Sequence, residues 1–147
     1  MSVPACIRVL IADDHALIRS GLARLVSGEP DLELVGTAAD GLRAVELAEA
    51  EQPDVVVLDL SMPGLDGVSA AGEMRRRSPH ARILVLSSHV QEAVVTAAFS
   101  AGVRGYLSKD VSSLEVLKAI RETHAGGAPM SERIRRTMEH HLQGGHF

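Results

Sequence analysis

Five polar side chains stand directly behind short apolar runs in an otherwise aliphatic chain. Asp13 and Asp14 follow the run that starts at Ile7, Asp59 follows Val55 to Leu58, Ser87 follows Ile83 to Leu86, and Lys109 follows Gly105 to Leu107 by one serine. If those runs are strands of one sheet, three carboxylates, a hydroxyl and an ammonium meet at one rim. Like charges gathered in a crevice oppose one another's ionisation. A hard divalent cation with oxygen ligands offsets that repulsion, and Mg²⁺, which takes a few carboxylates, waters and a phosphate oxygen, suits a cluster of this size. With an ammonium and a hydroxyl available for anionic oxygens, the set suits transfer of a phosphoryl group onto a carboxylate. Taken singly the residues have plainer uses: Asp13 and Asp14 as a helix cap and first-turn acid, Lys109 as a solvated lysine.

The elements that must position them can be read from hydrophobic period. Strands are expected at Ile7 to Ile11, Leu32 to Val35, Val55 to Leu58, Ile83 to Leu86 and Gly105 to Leu107. Helical patterns lie between and after them: Ala16 to Ser27, Leu42 to Glu51, Val68 to Arg77, Gln91 to Ala101 and Ser112 to His124. Val55 to Leu58 and Ile83 to Leu86 are apolar without alternation, as burial on both faces of a parallel sheet requires, so they belong at its centre. The charged second run and the very short fifth fit the edges. A doubly wound α/β sheet of five parallel strands in the order 2-1-3-4-5 satisfies these demands. Such sheets bind ligands outside the carboxyl ends of the strands where the order reverses, here between the first and third, beside Asp13, Asp14 and Asp59.

Composition narrows the function classes. The 147 residues are 46% hydrophobic and 23% charged, the balance of one globular domain. There is no Trp, and the only aromatic residues besides His are Phe99, Tyr106 and Phe147, which disfavours base-stacking nucleic-acid modules. A formal net charge of -4 gives no excess for neutralising nucleic-acid phosphates. Arg75 to Arg77 and Arg133 to Arg136 read as solvated helical faces. Cys6 is the single cysteine, and no secretory leader or membrane-spanning stretch is evident, so a cytoplasmic protein without membrane contact is expected.

The five rim residues, with Met62-Pro63-Gly64-Leu65-Asp66-Gly67 after the central aspartate, resemble the receiver domain of two-component response regulators. The likeness runs from about Ile7 to Ala125. Ala12-Asp13-Asp14-His15 and Gly105-Tyr106-Leu107-Ser108-Lys109-Asp110 are similar in particular to the NarL/FixJ branch, whose members usually carry a LuxR-type helix-turn-helix. The resemblance implies a flavodoxin-like (βα)5 fold, with Asp59 accepting a phosphoryl group from a sensor histidine kinase. It also implies Mg²⁺ held by Asp14 directly, by Asp13 mainly through water, by Asp59, and by the backbone carbonyl of Ser61. Lys109 pairs with a phosphoryl oxygen, Ser87 is the switch hydroxyl and Tyr106 the aromatic that turns inward, changing the face of the fourth helix, fifth strand and fifth helix. Ser61 and His89 hold the positions that tune phosphoryl lifetime. Asp110 stands where many receivers have proline, which excludes a cis Lys-Pro bond.

The receiver is expected over residues 5 to 127. Residues 128 to 147 read as a linker or tail with one possible helix from Ser131 to Leu142, too short for a four-helix DNA-binding module. Two outputs remain open: transcription control, with homodimerisation on phosphorylation and DNA contact through an effector domain outside this chain, or a stand-alone receiver acting by protein contact. A haloacid-dehalogenase-type phosphatase wants Asp-x-Asp after the first strand, and a dinucleotide-binding domain wants G-x-G-x-x-G there; neither pattern is present.

Overall fold

A computed structural model describes residues 6–144; the expected receiver start at residue 5 and the tail residues 145–147 lie outside the described residues. The chain alternates β1 (Ile7–Ala12), α1 (Ala16–Ser27), β2 (Leu32–Ala38), α2 (Gly41–Glu51), β3 (Val55–Leu58), α3 (Gly67–Arg77), β4 (Arg82–Ser87), α4 (Glu92–Ser100), β5 (Gly105–Ser108) and α5 (Ser113–His124), and adds α6 (Glu132–Gly144). The strands form one parallel sheet in the order β2-β1-β3-β4-β5, as expected.

Period-two alternation supplies two cores. Val9, Ile11, Val55, Val57, Leu84 and Leu86 pack beneath α1 and α5, against Val26, Val116, Leu117 and Ile120. Leu10, Leu58, Ile83 and Val85 point the other way, onto the small residues Ala44 and Ala48 of α2, Ala70 and Ala71 of α3 and Ala98 of α4. Covering both faces makes all four residues of β3 buried, hence its unalternating apolar sequence. Helix starts are set locally. Asp40 and Asp66 accept from the backbone N–H groups of Arg43 and Ser69, and Ser112 and Glu115 form a reciprocal capping box.

Three local expectations need adjustment. Strand β2 runs on through Gly36 to Ala38, because a bulge at Val35 shifts its pairing with β1 and lets the ladder continue. The sequence places Leu114, Leu117 and Ile120 on the sheet-facing side of α5, but Leu114 is 77% exposed. The buried side of α5 is Val116, Leu117, Ala119, Ile120 and Thr123; a spacing of three drifts about 60° per step, which carries Leu114 off that stripe.

The third adjustment concerns residues 128–144. Their few apolar groups suggest a linker, yet Ile134 is fully buried in the core cluster that contains Tyr106, and Met130 and Met138 pack on the same cluster. The two outward N–H groups of β5 are also taken: Tyr106 N–H donates to the Pro129 carbonyl at 2.9 Å and Ser108 N–H to Ser131 Oγ at 2.9 Å. Ser131 N–H returns a bond to the Tyr106 carbonyl at 3.2 Å. The segment thus satisfies an otherwise open sheet edge. Among the described residues no helix is long and apolar enough to cross a membrane.

Candidate functional site

Hydrogen bonding between neighbouring chain segments continues one residue beyond three strand ends, and each extra bond fixes a functional backbone. Asp13 N–H donates to the Ala38 carbonyl at 3.0 Å, Asp59 N–H to the Ala12 carbonyl at 2.9 Å, and Lys109 N–H to the Ser87 carbonyl at 3.1 Å. The side chains therefore project into the crevice where the strand order reverses. Gly67, at the start of α3, lies against the Leu60 backbone, and a Cβ there would collide with it. Glycine is required for this close packing behind Asp59.

Lys109 Nζ bridges two carboxylates, 2.9 Å from Asp13 Oδ2 and 3.0 Å from Asp59 Oδ2. Both aspartates are almost wholly buried, whereas the Asp14 side chain is 34% exposed. Each buried carboxylate has a second partner: Asp13 Oδ1 accepts from His15 N–H at 2.9 Å and Asp59 Oδ1 from Ser61 N–H at 3.2 Å. Partial burial alone would lower the Lys109 pKa, but hydrogen bonds to Asp13 and Asp59 and their charges outweigh it and leave the pKa raised. The ammonium stays charged and holds two like charges in one crevice.

One oxygen or nitrogen from each of Asp13, Asp14, His15 and Asp59 can be chosen so that all four lie within 4.8 Å of one another. Three carboxylates form the hard-oxygen set that a divalent cation takes, with an exposed side at Asp14 for further ligands. Ser61 Oγ, on the residue that donates to Asp59, is buried without a hydrogen-bond partner, so polar capacity remains unused beside the cluster. His15 reads from the sequence as a polar helix-start residue outside the metal site; it is the N-cap of α1, but its side chain makes no capping bond and lies 3.5 Å from Asp14 Oδ1. One further neighbour was missed from sequence. Arg19 donates to the Asp13 carbonyl at 2.9 Å from the first turn of α1, a contact no local pattern announces.

Ser87, Tyr106 and His89 meet on the other side of Lys109. Ser87 is fully buried, and its Oγ accepts from His89 N–H at 3.1 Å. The Tyr106 hydroxyl donates to the His89 carbonyl. The Tyr106 ring, expected to turn inward, is already fully buried here and stands 6.4 Å from the Phe99 ring centre. Burial pushes the phenol pKa up to about 12; the Ser87 hydroxyl lowers it less, and the Asp59 charge adds to the rise.

Tyr106 is the only tyrosine, so phenolate absorbance isolates it. Titration is expected near 12 in the folded protein and near the ordinary value of about 10 after unfolding. The associated stability, about 2 to 3 kcal/mol, is present below pH 10 and is lost as pH rises from there through the folded value. A folded protein titrating at the ordinary value would show that the phenol is solvated.

The profile of the response regulator receiver domain matches residues 9–121. The chain belongs to that family. It is 39% identical over 126 residues to the nitrate/nitrite response regulator protein NarL of Escherichia coli K12, covering 86% of this chain and 58% of the relative. It is 38% identical over 128 residues to the transcriptional regulatory protein DegU of Brevibacillus brevis, covering 87% and 54%. This receiver thus spans somewhat over half the length of the curated relatives it matches. Among solved structures, a LuxR-family two-component response regulator from Aurantimonas sp. SI85-9A1 superposes with a TM-score of 0.87 at 34% identity, over 94% of this chain and 99% of that one. The signal receiver domain of the putative response regulator NarL from Mycobacterium tuberculosis gives 0.80 at 39% identity, over 84% and 99%. The NarL/LuxR branch indicated by the motifs around Asp13 and Lys109 is the one the relatives occupy.

Proposed function

We propose that this receiver accepts a phosphoryl group on Asp59 from a phosphohistidine of a sensor histidine kinase, with Mg²⁺ bound by Asp13, Asp14, Asp59 and the Ser61 carbonyl. The observation that carries the reading is the Lys109 ammonium held between the buried Asp13 and Asp59 carboxylates at the switch point of the sheet. An Asp59 oxygen forms the new P–O bond as the P–N bond of the donor breaks. The donor imidazole leaves with that electron pair, neutral because its other ring nitrogen carries a proton, and an aspartyl phosphate remains. Bound in the cluster, Mg²⁺ supplies positive charge as a phosphate approaches carboxylates.

Lys109 then exchanges its bond to Asp59 for one to a phosphoryl oxygen, placing charge where it accumulates. Ser87 turns its hydroxyl to another phosphoryl oxygen and gives up its bond from His89 N–H, which links the site to Tyr106 through the same residue. Ser61 and His89 set how readily water reaches the acyl phosphate. The repacked face comprises α4, β5 and α5 together with the docked α6. Its use is homodimerisation and transcription control through an effector domain; transcriptional regulation is what the name of the DegU relative states.

Incubation with acetyl phosphate, followed by phosphate-affinity electrophoresis, tests the acceptor. A Mg²⁺-dependent, base-labile retarded band is expected for the wild type and none for Asp59→Asn. An equal band from the variant would move the acceptor elsewhere; no band with acetyl phosphate or a phosphorylated kinase domain would overturn the reading.

A further inference from the structure

At the opposite end of the sheet, where β4 and β5 begin, a cleft of about 420 Å³ opens between three segments. Arg75 from α3, Arg82 from the first position of β4 and Arg104 from the turn before β5 all line it, with His80 at its border, and no Asp or Glu is among its lining residues. The neighbouring arginines show what a purely solvated face looks like here: Arg76 pairs with Glu73, and Arg77 with both Glu73 and Glu49. The cleft arginines have no such partners among the described residues. Arg75 spends one N–H on the Ala101 carbonyl at 3.2 Å, and Arg82 spends one on the His124 carbonyl.

Those two bonds satisfy the carboxyl-terminal ends of α4 and α5, but a guanidinium has five N–H donors, so most remain unspent. The backbone donors at this rim are already used, Arg82 N–H on the Asp54 carbonyl and Arg104 N–H on that of Ile83. Guanidinium groups are therefore the recognition elements. Their placement depends on Gly102, which has a φ of +96° and whose missing Cβ leaves the space that the Arg75 side chain occupies. Any larger residue would displace that guanidinium, independently of the backbone strain.

We propose that this cleft binds a compact anion carrying more than one phosphoryl charge, of the diphosphate type. Planar guanidinium forks match phosphate oxygens in pairs, and three of them without carboxylates leave a local surplus of three positive charges on a chain whose formal net charge is -4. That molecular sign disfavours long polyanions and leaves a small ligand as the better match. The volume falls in the range of small-molecule sites, about 300–1,000 Å³. An occupant held by Arg82 and Arg104 ties together the beginnings of the two strands that carry Ser87 and Lys109 to their far ends.

The test is a titration of ¹⁵N-labelled protein with inorganic pyrophosphate in the absence of divalent cations. Saturable shifts are expected at the amides of Gly102, Val103 and Arg104. Affinity is expected to fall at least about tenfold in R104Q and in R75Q, both exposed positions, and orthophosphate to bind weaker by a similar factor. Shifts confined to Asp13, Asp59 and Lys109, unchanged affinity in R104Q, or the lack of saturation would overturn the proposal. So would a DNA duplex that binds the cleft more tightly than pyrophosphate, which would make it a nucleic-acid contact.

Discussion

Lys109→Met is expected to lower stability by about 2 to 4 kcal/mol and to cut phosphoryl uptake by roughly a hundredfold or more. Methionine keeps an unbranched stem against Leu86 and Val116, which share an apolar cleft with Lys109, so the change mainly removes charge. It leaves Asp13 and Asp59 buried within 4.8 Å of each other, with no cation between them. Breaking a buried ion pair from one side costs about 3 to 5 kcal/mol, and the range expected here is lower because the Lys109 side chain retains 17% exposure. Mg²⁺ is expected to restore part of the stability in the variant, since a cation replaces a cation. Urea denaturation with and without Mg²⁺ measures both effects. A loss that Mg²⁺ does not change would mean that Lys109 matters by packing.

Ile134→Asp is expected to undock α6 while the five-stranded sheet stays folded. Ile134 is fully buried, and α6 meets the body of the domain chiefly at β5 and α4. Removing a buried aliphatic group costs about 2 to 5 kcal/mol, and an unpaired carboxylate in its place adds to that. The least costly response is release of one peripheral helix. Amide exchange reads it directly, because the Tyr106 and Ser108 N–H groups bond to Pro129 and Ser131. Both should exchange at least about tenfold faster, while amides in the central strands β1 and β3 keep their protection. Uniform acceleration throughout the sheet would show instead that α6 is part of the cooperative core.

The contrast between β3 and α6 shows where sequence is informative. Val55 to Leu58 is bounded by Pro53 and Asp59 and has no polar position, so both its limits and its central place could be read directly. The rim residues were legible for the same reason: a strand that ends in a polar group presents that group at the sheet's carboxyl edge. Docking of residues 128–144 was not legible, because two of its backbone bonds with β5 are ones any sequence can supply and its apolar contacts come from only Met130, Ile134 and Met138. The sharing of Lys109 between Asp13 and Asp59 depends on spacing across several strands, a distance that no local pattern encodes. Leu114 failed for a smaller cause: two steps of three residues carry it about 120° round the helix from Ile120.

The bonds that carry the ladder past Ala12, Leu58 and Ser108 make part of the site stiff and leave part compliant. Asp13, Asp59 and Lys109 cannot shift without shearing neighbouring strands, each of which is fixed by its own pairing. Residues 88–91, between β4 and α4, have no strand or helix to hold them. A load applied at the rim, whether charge or volume, therefore has a soft outlet through the segment containing His89, whose N–H and carbonyl contact Ser87 and Tyr106. Under the proposed phosphorylation the frame would act as an anvil, confining displacement to that segment and sparing the sheet.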